Sequence, residues 1–176
     1  RMVIEKYKTE FAETDSKERY KWEGIGWYKS HWNIDAPDFA AMAELAFRKM
    51  ANLLTSGMYY PYKMLVEFAQ ADPEAVRELF RMLYNEELPL AQRYTAFREG
   101  FENYIKQRRK QETDQNRTLQ HFQDLRAVMV YLTCEYPETY YLFKSRVFAA
   151  FRDRIGYVEE KPKQKSVVWK VESYTR

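Results

Sequence analysis

Asn33-Ile34-Asp35-Ala36-Pro37-Asp38-Phe39, followed by an Ala-, Leu- and Met-rich run to Leu54, decides the fold class of this chain. Asp35 suits an N-cap, and Pro37 suits a first helical turn, where its missing N–H would have had no partner. Phe39, Met42, Ala43, Ala46, Met50 and Leu53 then recur at helical spacing, which predicts one apolar face on a helix running to about Leu54. Gly57 marks a turn, and Tyr59, Tyr60 and Tyr62 surround Pro61. Met64, Leu65, Phe68 and Ala69 restore the helical rhythm. Asp72-Pro73-Glu74-Ala75 repeats the cap-plus-proline start, and Val76, Leu79, Phe80 and Leu83 form the next apolar face. The expected core from this region is Phe39, Met42, Leu53, Phe68, Val76 and Leu79.

The flanks continue the pattern. Val3, Ile4, Tyr7 and Phe11 suggest a first amphipathic helix. Tyr20, Trp22, Trp27, Tyr28 and Trp32 form a large apolar mass, read either as a helix docked on the core or as an aromatic platform; Gly24 and Gly26 weaken the helix there. Glu86-Glu87-Leu88-Pro89 opens a long helix carrying Leu90, Tyr94, Phe97, Phe101, Tyr104 and Ile105. Residues 106–117 are polar and basic, a projecting helix end or a loop. Leu125, Val128, Met129, Leu132 and Tyr136 predict a buried helix that stops before Pro137. Tyr140-Tyr141-Leu142-Phe143 reads as extended, and Ser145 caps a last helix closed by Gly156. The expected fold is all-α, an irregular bundle of about six to eight helices. Residues 1–157 would form the helical domain and residues 158–176 a polar, partly ordered tail or linker.

Composition narrows the function. The chain has 176 residues, long enough for one sizeable core, and only eleven Gly and Pro, too few for a turn-rich sandwich. Its net charge of +3 permits an anionic partner without demanding one. The single cysteine, Cys134, excludes a disulfide framework within the chain and favours a reducing, cytoplasmic setting. No apolar run approaches the roughly 18 residues of a membrane span.

No catalytic constellation emerges. A phosphate loop is absent; Gly24-Ile25-Gly26 lacks a third glycine and a preceding strand. One Cys and two His cannot make a usual zinc site. Cys134 lies in an apolar run and reads as a core thiol. Glu159-Glu160-Lys161 has no acidic partner upstream to gather a metal. The chain is therefore expected to be no enzyme by itself, with neither metal nor cofactor. Binding is the class that remains. Lys106, Arg108, Arg109 and Lys110 form one basic cluster, and Lys163 and Lys165 belong to another in the tail. Such clusters neutralise phosphates, or are simply solvated. Tyr59, Tyr60 and Tyr62 supply rings that stack on bases, or anchor the turn at Pro61.

Several phrases of this sequence look like a known family. Asn33-Ile34-Asp35-Ala36-Pro37-Asp38-Phe39, Asn52-Leu53-Leu54, Tyr59-Tyr60-Pro61, Glu67-Phe68-Ala69, Asp72-Pro73-Glu74-Ala75-Val76-Arg77, Asp124-Leu125-Arg126-Ala127 and Tyr136-Pro137 resemble the N-terminal helical region of McrB-like AAA+ proteins of modification-dependent restriction systems. The resemblance implies a bacterial motor driven by GTP or ATP with magnesium and working with an McrC-like nuclease subunit. This region would be its target-recognition module for double-stranded DNA, modified or unmodified. The motor domain with its phosphate loop is not in this sequence, so the chain should neither hydrolyse nucleotide nor cut DNA. The alternative is an assembly domain that docks a partner subunit without touching nucleic acid. On the DNA reading, Arg108→Ala with Arg109→Ala is expected to weaken binding without lowering thermal stability.

Overall fold

A computed structural model describes residues 19–111, 119–154 and 156. The expected helix around Val3–Phe11, most of the polar segment after Gln111, and the tail with Lys163 and Lys165 lie outside the described residues. Within them the chain is all-α. Helices α1 (Arg19–His31), α2 (Phe39–Phe47), α3 (Pro61–Ala71), α4 (Pro73–Tyr84), α5 (Leu90–Gln111), α6 (Leu125–Glu135) and α7 (Ser145–Arg154) follow in order, with a 3-10 turn η1 at Arg48–Met50. The described residues hold no strand, only an isolated bridge between Ser56 and Tyr59.

Asp38, rather than Asp35, caps α2: its Oδ1 accepts the Ala41 N–H at 2.9 Å. Pro37 therefore stands one residue before the cap. Asp35 is instead turned outward to Arg81 of α4, 2.6 Å away. The reason is tertiary. The carbonyls of Ile34 and Ala36 both accept from the buried Arg77 guanidinium, which holds residues 34–36 against α4 in a non-helical path. α2 is also shorter than its apolar period suggested, ending at Phe47 and tightening into η1. Asp72 caps α4 as expected, accepting from Ala75 N–H at 3.0 Å, with Pro73 in the first turn.

α4 is the hub. Phe80 meets Phe39 and Phe47 of α2, Trp32 after α1, Phe97 of α5 and Tyr131 of α6, with centroids 5.0–6.4 Å apart. α6 is apolar over most of its surface and buries Leu125 and every residue from Ala127 to Cys134, leaving Arg126 exposed near its start. Of the expected core, Phe39, Met42, Phe68 and Val76 are buried, while Leu53 and Leu79 are partly buried at its margin.

α1 continues unbroken through Gly24 and Gly26. Its docking explains Gly24: an added Cβ would overlap Met50 Sδ, and Met50 is fully buried. Gly24→Ala is expected to cost about 1–3 kcal/mol through overpacking, outweighing the ~1 kcal/mol gain in helix propensity. Gly26 has nothing within 4 Å of such a Cβ. Gly26→Ala should therefore stabilise by up to about 1 kcal/mol. Urea denaturation of the two variants checks the contrast; equal shifts would contradict this packing.

The far ends of α1 and α6 are joined by polar groups. Tyr28 is fully buried; its hydroxyl donates to Glu135 Oε2 at 2.9 Å and lies 3.0 Å from the Tyr84 hydroxyl. Burial pushes the Cys134 thiol well above its ordinary range, so it sits as an inert core group.

Candidate nucleic-acid interface

The tyrosines of residues 59–62 and the basic end of α5 are linked through one segment of the chain. A short non-helical strap, residues 119–124, joins them. At one end of the strap, Arg109 donates to the Leu119 carbonyl at 3.0 Å. Leu119 packs with Ile105 of α5 and Met64 of α3 in a small cluster beside the main core. At the other end, Asp124 caps α6 through Ala127 N–H and accepts from the Tyr59 hydroxyl at 2.7 Å.

Gln123 anchors the middle. It is fully buried, donates to the Pro61 carbonyl at 2.9 Å and accepts from the Tyr131 hydroxyl at 2.8 Å. A buried amide left unpaired costs about 1–3 kcal/mol, so these bonds hold the strap to α3 and α6. Beside it, Phe122 has φ +58°, the left-handed region that a bulky residue enters only when its surroundings impose it. Its ring then stands edge-on to Tyr59 and Tyr60, with centroids 6.0 and 5.9 Å away.

The three tyrosines do different things. The Tyr59 hydroxyl is held by Asp124, and the Arg126 guanidinium lies 4.7 Å over its ring. Burial, then the Asp124 hydrogen bond, raises this phenol far above its ordinary range, so it stays a donor. The Tyr62 hydroxyl donates to the Glu44 carbonyl at 2.9 Å and its ring packs on the core. Only Tyr60, 38% exposed, offers a face to a ligand.

The basic cluster divides in the same way. Arg108 pairs with Glu67 of α3 and lies 5.8 Å over the Tyr104 ring. With Arg109 bound to Leu119, both arginines tie α5 to its neighbours, which removes the expectation that replacing them would leave stability untouched. Lys106 and Lys110 are exposed. Lys63 on α3 and Arg126 on α6 are exposed too and extend the basic surface toward the turn; the residue alphabet did not single them out, because each stands alone in sequence.

His121 makes the strap sensitive to acid. Its Nδ1 accepts the Gln123 N–H at 2.9 Å, which requires an unprotonated nitrogen. Burial lowers its pKa from the ordinary 6.5, Arg98 assists, and Glu102 and Asp124 oppose. The unfolded chain therefore binds this proton more readily than the folded one. The contribution is complete above about pH 6.5 and is lost as pH falls below that value. Urea midpoints measured from pH 8 to pH 5 should fall, and His121→Gln should flatten that fall. An equal fall in the variant would place the titration elsewhere.

Among the described residues, no group of three or more His, Cys, Asp and Glu could hold a metal, and no helix is long and apolar enough to cross a membrane. Comparison of the chain with protein-family models, curated proteins and solved structures finds no match.

Proposed function

We propose that this all-α domain is a non-catalytic recognition module that holds double-stranded DNA along the face from the 56–59 turn to the end of α5. One observation carries the reading: exposed Lys106, Lys110, Lys63 and Arg126 and the exposed ring of Tyr60 stand on, or adjoin, the elements that the 119–124 strap ties together. The resemblance to McrB-like proteins gives the module its setting, a restriction motor using GTP or ATP with magnesium in another domain and an McrC-like nuclease subunit.

Binding of the chain to methylated and unmodified duplexes at two salt concentrations tests this. Affinity should fall steeply with salt, and a preference between the duplexes would identify the modification read. Absence of binding at low salt would sink the proposal.

A second reading, a docking domain for a protein subunit, draws on a different surface. Trp22, Tyr141 and Val147 are exposed at 58%, 68% and 61%. Lys21, next to Trp22 in sequence, has its pKa lowered to about 8, by burial and then by the nearby Lys144, which precedes α7. Association through these residues would persist at high salt, unlike association with phosphates.

A further inference from the structure

The turn at residues 56–59 holds a side chain that the fold does not use. Met58 is 86% exposed, the most exposed large apolar residue described. An exposed methionine on a loose loop would mean little, but this loop is stiff. Ser56 and Tyr59 exchange both backbone hydrogen bonds at 3.0 Å, closing a two-residue hairpin turn over Gly57 and Met58. Gly57 has φ +56° and Met58 does not share a positive φ, the pattern of a type II′ turn. Tyr59 is then fixed behind the tip by Asp124, Phe122 and Arg126. The base of the turn is tied to α3 by the Tyr62 N–H, which donates to the Leu54 carbonyl at 3.3 Å.

The tip is narrow. Thr55, Ser56 and Gly57 are exposed and offer no large apolar surface. A protein interface needs on the order of 800 Å² on each partner, which one methionine and part of a tyrosine do not supply. Insertion between stacked base pairs needs only one stiffly presented apolar side chain, and methionine is among the residues that do it. The charges around the tip suit the same partner. Arg126, stacked on Tyr59, uses one N–H on the Leu53 carbonyl out of the five a guanidinium carries. Lys63 lies on α3, three residues beyond Tyr60, which adjoins the turn.

We propose that Met58 is a DNA wedge, entering between adjacent base pairs from the minor groove while Arg126 and Lys63 hold the flanking phosphates. This rests on the reading of the face as a duplex-binding surface. It adds a consequence that phosphate binding alone lacks: the duplex is kinked, typically by roughly 20–90° toward the major groove.

The test uses the full chain and a duplex of about 20 base pairs carrying a fluorophore at each end. Saturating protein should raise energy transfer between the ends. Met58→Ala should abolish that rise while weakening binding only several-fold, and Met58→Leu should retain it. Thermal melting of both variants should match the parent, since the side chain makes little contact with the fold. Binding with unchanged transfer, or the same rise with Met58→Ala, would overturn the wedge and leave the proposed function standing. No binding to duplex at low salt would overturn both.

Discussion

Phe80→Ala will lower the free energy of unfolding by about 3–5 kcal/mol, the range for deleting a buried Phe. Phe80 has no solvent exposure, and its ring meets aromatic groups from α2, α5 and α6, from the segment after α1, and from its own helix. Those neighbours are rings in a close-packed interior and cannot collapse into the space, so the upper half of the range is expected. Edge-to-face pairs add roughly 0.5–1.5 kcal/mol each beyond the area they bury. Urea denaturation followed by tryptophan fluorescence measures the change, because Trp32 lies 5.0 Å from Phe80. A loss below about 1 kcal/mol would show that α4 is not the hub of the bundle. Total stabilities are commonly 5–15 kcal/mol, so the variant is expected to melt early.

Lys106→Ala with Lys110→Ala will weaken duplex binding by roughly 60-fold at about 0.1 M salt, if each lysine neutralises one phosphate. The slope of log affinity against log salt should fall by about 1.8 for the pair. Both side chains are exposed and neither pairs with another of the described residues, so melting should move by no more than about 0.5 kcal/mol. Arg108→Ala is the informative contrast. It breaks the pair with Glu67 and the contact with Tyr104, so it should loosen the packing of α5 on α3 as well as change affinity. If the double lysine variant binds as the parent does, the end of α5 is a solvated helix end and the DNA reading loses its main cationic support.

Much of the architecture was legible in the residue order, because helices are set by periodicity and by local punctuation. Asp72-Pro73 starts α4 where the cap-and-proline logic places it, and α6 stops before Pro137. Gly156 has φ +66°, the conformation expected of a residue closing a helix. Failures came where a distant group outbid the local signal. Asp35 has the chemistry of a cap, but Arg77, more than forty residues away, takes the Ile34 and Ala36 carbonyls and moves the cap to Asp38. Gly24 reads as a helix breaker, yet it lies inside α1 because only a missing side chain lets that helix approach Met50.

The candidate surface was only partly legible. Lys106 to Lys110 and the tyrosines around Pro61 were visible as clusters because their members are neighbours in sequence. Nothing in the order of residues shows that Tyr62 is spent on Glu44, that Tyr59 is held by Asp124, or that the arginines bind Glu67 and Leu119. Alone, the sequence determined an all-α fold, the Asp72 cap of α4 and most of the expected core, since these follow from hydrophobic period and backbone chemistry within a few residues. The tertiary structure decided which polar and aromatic groups remain available. Availability is what is left after long-range partners have taken their share, and Tyr60, Met58, Lys106 and Lys110 are among the side chains this fold leaves exposed.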